Sequence, residues 1–171
     1  MKQNDPRLTD ALEPLIHALR DELQHYGEML ALLDQQQSST IDRQADQMLH
    51  ATGAIQSHSS VLQAARKHRE KCQRALACSL GVLESSTFVE LFPQLPDSHR
   101  PLVQSLVEEN NSLLTIVQQR ARQNHLLLSR SVEVMQQFLG VLMPACGAPV
   151  YDERGERQTS LPTTPLYEAV G

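Results

Sequence analysis

Seven apolar residues, Leu12, Ile16, Leu19, Leu23, Tyr26, Leu30 and Leu33, recur near the start of the chain at alternating spacings of four and three. That spacing keeps one stripe of a helix apolar and does not suit a strand, whose side chains change face at every residue. An unbroken seam of this kind predicts a helix over about residues 10–37 that needs other helices to cover its stripe. Asp10 with Glu13 gives an N-terminal cap signature, and Pro14 falls in the first turn, where a missing amide hydrogen costs little.

The pattern dissolves in the QQQSST stretch at residues 35–40, where Ser39 and Thr40 stand as caps for a second helix. That helix is expected over about 42–83, with Ile41, Ala45, Met48, Ile55, Leu62, Ala65, Cys72, Leu76 and Leu83 facing inward. Thr52, Ser59 and Arg69 fall on or near this seam and Gly53 sits within it, so a bend or register slip is expected around residues 53–60. In the connector, Thr87 and Glu90 form a capping box for a short turn through Phe88, Leu91 and Phe92 that Pro93 ends, an apolar lid for one end of a bundle. A third helix is expected over about 98–143, with Pro101 in its first turn and Pro144 as its stop.

The third seam runs Leu106, Asn110, Leu113, Val117, Arg120, Asn124, Leu127, Ser131, Val134, Phe138 and Val141. Its polar members allow two readings. They fix helix register from within a packed core, or they mark an under-packed groove where an amphipathic segment of another protein can lie. The fold class read from these patterns is all-α, an elongated antiparallel three-helix bundle of coiled-coil character. Residues 1–143 form the helical domain, and residues 144–171, without an apolar period, form a disordered C-terminal tail.

Composition agrees. In 171 residues there is no tryptophan, aromatics are 4%, and the formal net charge is −5, which argues against a nucleic-acid partner because phosphate binding needs concentrated positive charge. The basic run Arg66, Lys67, His68, Arg69, Lys71 and Arg74 lacks interleaved aromatics and reads as a solvated face paired with glutamates of the first helix. Three cysteines without a CxxC pair, no signal-like N-terminus and no apolar run long enough to cross a bilayer imply a cytoplasmic protein without stable membrane insertion.

Candidate chemistry is sparse. Glu22 and His25 make one E-x-x-H pair, but a di-iron bundle needs two such motifs. His50 and His58 share a helix face without a third ligand or an orienting carboxylate, so no metal and no cofactor is expected. Cys72 lies among basic residues that could lower its pKa, yet a small residue on a packed helix accounts for it better. No serine stands on a glycine-flanked elbow, and no catalytic residue is expected.

The C-terminal part of the third helix and the segment beyond it resemble the FlgN family of flagellar export chaperones. The residues that carry the resemblance are Asn124, Leu127 and Leu128 as N-x-x-L-L, then Gln136, Gln137, Leu139, Val141, Leu142 and Pro144, then Tyr151 and Gly155 as Tyr-x-x-x-Gly. The resemblance implies a type III secretion chaperone. It would bind the C-terminal segments of the hook-filament junction proteins FlgK and FlgL and deliver them to the export gate protein FlhA. It further implies Asn124, Leu127, Leu128, Val134 and Phe138 as the client-binding region or its support, and Tyr151, with Asp152 and Gly155, as the gate-docking residues. The chain departs from the family pattern at His125, where a small residue is usual, and in a second tyrosine, Tyr167. A coiled-coil adaptor without a secretion role is the competing reading, and a small helical enzyme or metal protein is a third.

Overall fold

A computed structural model describes residues 6–142, all of whose regular elements are helical. Helix α1 spans Pro6–Ile41, α2 Ala45–Ser79, α3 Phe88–Leu91 and α4 Arg100–Leu142, with a single 3-10 turn at Phe92–Gln94 between α3 and α4. The chain divides into two compact units, Met1–Leu127 and Leu128–Gly171. The tail expected at residues 144–171 lies outside the described residues.

In the first unit, the direction of each helix follows from its hydrogen bonds. Gln36 donates to Thr52 at 2.9 Å, His58 meets the His25 carbonyl at 3.0 Å, and Arg69 donates to Glu22 at 2.8 Å. The α1 numbers fall as the α2 numbers rise, so these two helices are antiparallel. The Asn110 amide donates to the Leu19 carbonyl at 3.0 Å and the Asn124 amide to the Leu33 carbonyl at 2.7 Å, so α4 runs alongside α1 in the same direction.

Two apolar clusters hold these helices. Leu12, Leu15, Ile16 and Leu19 of α1 meet Cys72 and Leu76 of α2, Leu95 of the connector, and Val103 and Leu106 of α4. Further along, Tyr26, Met29 and Leu33 meet Val117, with Ile55 and Leu62 half-buried against them. Each fully buried leucine contributes roughly 1.5–3 kcal/mol relative to an exposed one. Pro14, expected in the first turn, lies well inside α1 because the helix starts at Pro6; it has no amide hydrogen for the Asp10 carbonyl, and with Asp10 and Pro14 both exposed water can take that carbonyl instead.

The α1–α2 boundary is not where the polar stretch predicts it. Ser39 donates to the Gln35 carbonyl at 2.8 Å and Thr40 to the Gln36 carbonyl at 2.7 Å. These back-bonds satisfy both hydroxyls within the helix, so α1 continues to Ile41 and neither residue caps α2. Asp10 likewise lies inside α1, which begins at Pro6, rather than at its start. The reversal is a Schellman turn, in which Gln44 N–H bonds the Ser39 carbonyl and Arg43 N–H the Thr40 carbonyl. Arg43 takes the left-handed position, with φ 57°.

At its other end α2 closes with the same motif: Val82 N–H bonds the Ala77 carbonyl, Gly81 N–H the Cys78 carbonyl, and Gly81 has φ 70°. Leu83 therefore falls past the helix and is exposed, as Ile41 is at the end of α1, although the seam places both inward. Ala51 and Ala77 are buried in α2 together with Cys72 and Leu76. The helix runs on through Gly53, where Ser57 and Ser59 bond back to the Gly53 and Ile55 carbonyls. The capping box at Thr87 and Glu90 is formed, the Glu90 carboxylate accepting the Thr87 N–H at 2.7 Å. Leu91 and Leu95 are buried behind it, so the connector does act as an apolar lid.

Candidate functional site

The α4 seam changes character along its length. Leu106, Asn110, Val117 and Asn124 are buried, and Leu113, Arg120 and Leu127 are half-buried. Asn124, 2% exposed, donates to the Leu33 carbonyl and, at 3.0 Å, to Gln36 Oε1. Asn110 likewise donates to the Leu19 carbonyl of α1, and it also donates back to the Leu106 carbonyl of its own helix. Arg120 forms an ion pair with Asp34 at 3.1 Å and a hydrogen bond to Gln37. Three of the seam's polar residues thus hold α4 in register against α1. The Asn124 side chain serves the fold.

From Ser131 onward every seam residue is exposed. Val134 is 52% and Phe138 58% exposed, while Leu128 is half-buried. Met135 and Leu139 flank Val134 and Phe138 one position on, at 60% and 49% exposure, so that apolar side chains form a band along this part of α4. The seam alone does not point to Met135 and Leu139, because a one-residue seam marks the centre of a helix face and not its width. Exposed apolar residues in a continuous band mark a protein-binding surface more often than a solvated one.

A second arrangement lies within the first unit. Glu22, 3% exposed, accepts from Tyr26 Oη at 3.1 Å and Arg69 Nε at 2.8 Å, with Arg66 Nε 3.8 Å away. A buried carboxylate needs such partners, since leaving one unpaired costs several kcal/mol. Burial and the adjacent Glu22 carboxylate push the Tyr26 phenol up to about 12. Arg69 also stacks over Phe88, 6.0 Å from the ring centre. Tyr26, Arg66, Arg69, Phe88, Phe92 and Val107 line an open cleft of about 440 Å³.

The basic run therefore pairs in part with α1, through Arg66 and Arg69 on Glu22. Cys72 is buried, and burial pushes its thiol up, away from the reactive range. Glu22 and His25 do not act together, for Glu22 faces Arg69 while His25 faces Glu28 and His58. Hydrogen bonds from Gln24 and His25 hold the Glu28 carboxyl below the usual range. Among the described residues no helix is long and apolar enough to cross a membrane.

Tyr151, Asp152 and Gly155 lie outside the described residues, as does Tyr167. No curated protein and no solved structure matches the chain. The family described as FlgN protein matches residues 8–159, which takes in every described helix almost whole and the segment that carries Tyr151. The chain belongs to the FlgN family, a family of flagellar export chaperones rather than enzymes.

Proposed function

We propose that this protein is a cytoplasmic type III secretion chaperone that holds the C-terminal segments of the hook-filament junction proteins FlgK and FlgL and passes them to the export gate protein FlhA. Residues 1–143 act as an antiparallel three-helix bundle, and residues 144–171 as the tail that carries the gate-docking residues Tyr151, Asp152 and Gly155. The observation that carries this reading is the apolar band of α4, exposed in a chain that belongs to an export chaperone family. A client helix lays its own apolar stripe along Val134 and Phe138, and both surfaces leave water together. Leu127 and Leu128 are half-buried and precede the band in the chain, and Asn124 fixes its part of α4 against α1.

Phe138→Asp tests the reading with little risk to the fold, because the side chain is exposed. Titration calorimetry against C-terminal fragments of FlgK and FlgL is expected to show binding weakened at least 30-fold, the size of a central aromatic anchor lost at about 2 kcal/mol. In the same experiment Tyr151→Ala is expected to keep client affinity and to lose affinity for the cytoplasmic part of FlhA. Unchanged client binding by the Phe138 variant would remove the α4 band from the account.

A further inference from the structure

Between Ala51 and Cys72 no side chain of α2 is fully buried, so this stretch is held to α1 by half-buried contacts alone. At its middle, His58 faces His25 and Glu28 of α1. Glu28 Oε2 lies 3.3 Å from His25 Nδ1 and 3.6 Å from His58 Nε2, and the three atoms all lie within 4.8 Å of one another. The imidazole rings meet edge to face, 5.4 Å apart. The other oxygen of Glu28 accepts a hydrogen bond from Gln24 at 2.9 Å, which fixes the plane of the carboxylate.

A tetrahedral zinc ion, with bonds of about 2.0–2.2 Å, sets its ligand atoms about 3.4 Å apart. The two short distances here bracket that value. Imidazole and carboxylate together suit zinc and its neighbours in the first transition row, and not magnesium or calcium, which prefer all-oxygen shells. The H-x-x-E spacing on α1 places two ligands on one helix face, and the third comes from the opposing helix. Gln24 supplies the outer hydrogen bond that metal-ligating carboxylates use to hold their orientation.

We propose that His25 Nδ1, Glu28 Oε2 and His58 Nε2 form a binding site for a divalent transition-metal ion of the zinc class, which clamps α2 to α1 within the stretch where no α2 side chain is fully buried. Three protein ligands leave a fourth position for water. His58 Nε2 lies 3.0 Å from the His25 carbonyl, an acceptor it meets as an N–H donor. To ligate zinc, His58 takes its other neutral tautomer, the proton passing through solvent to Nδ1, so that the Nε2 lone pair turns to the metal and the bond to the carbonyl is given up. The middle of α2 thereby gains a cross-link to α1 that its serines and glycine cannot provide.

The test is thermal unfolding of the untagged full chain, followed by circular dichroism, with zinc or with a chelator. Zinc at about a hundred times its dissociation constant is expected to raise the midpoint by about 5–10 °C, and cobalt to develop the visible absorption of a four-coordinate ion. His25→Ala and His58→Ala each abolish the zinc-dependent rise, while His17→Ala, elsewhere on α1, retains it. The His25 ring bonds only to Glu28 one turn along its own helix, and the bond from His58 goes to the His25 backbone, so the His25 variant stands in should His58→Ala fail to fold. A midpoint indifferent to zinc, or a rise that survives in either ligand variant, would overturn the site.

Discussion

Two stretches of α4 carry the same seven-residue apolar rhythm and finish in opposite surroundings. Between Val103 and Asn124 the seam is buried or half-buried against α1, and two asparagine amides reach α1 carbonyls. Between Ser131 and Val141 it is exposed throughout, although Val134, Phe138 and Val141 are as apolar as Leu106 and Val117. Periodicity states which face of a helix is apolar and leaves open what covers it. The covered stretch holds the helices together, and the uncovered one leaves apolar surface in water, the feature on which the proposed client binding rests.

Substitutions along this one helix can break that contrast. Leu106→Ala, within the first apolar cluster, is expected to cost about 2–4 kcal/mol in denaturant unfolding. A loss below about 1 kcal/mol would mean that the upper seam is not core. Asn124→Ala removes two hydrogen bonds to α1 and should cost about 1–2 kcal/mol, less than the leucine because no large apolar surface is opened. An unaffected variant would show that the amide does not hold the helices together. Phe138→Ser should change stability by no more than about 0.5 kcal/mol, as surface substitutions do, while weakening client binding. Destabilisation on the scale of Leu106 would place Phe138 in a core and end the comparison.

The sequence made much of this legible because local rules carried it. The α1 seam, the capping box at Thr87 and Glu90 and the α4 seam through Asn124 all depend on residues close together in the chain. What stayed hidden depends on distant partners. Whether Ser39 and Thr40 cap a new helix or bond back into the old one turns on burial, and Ser39 is 3% exposed. Arg43 carries no signal for the left-handed conformation it adopts, whereas Gly81 does. His25 and His58 are separated by 33 positions and meet only because of the antiparallel register of α1 and α2, so a search for short metal motifs passes over them. Of the client-binding candidates, the pattern put Val134 and Phe138 on one face but could not tell that the face is open. It likewise named Asn124 without revealing that its amide is already engaged by α1.

The two asparagine contacts have a consequence for how the helices find each other. Asn110 and Asn124 stand two heptads apart, and each reaches an α1 carbonyl the same distance back in the chain. Sliding α4 along α1 by a single turn would move both amides off these acceptors together, so a near-miss alignment loses two inter-helix hydrogen bonds at once. The pair works as a two-pin plug, which seats fully or not at all, and once home it dictates which side of α4 turns toward α1.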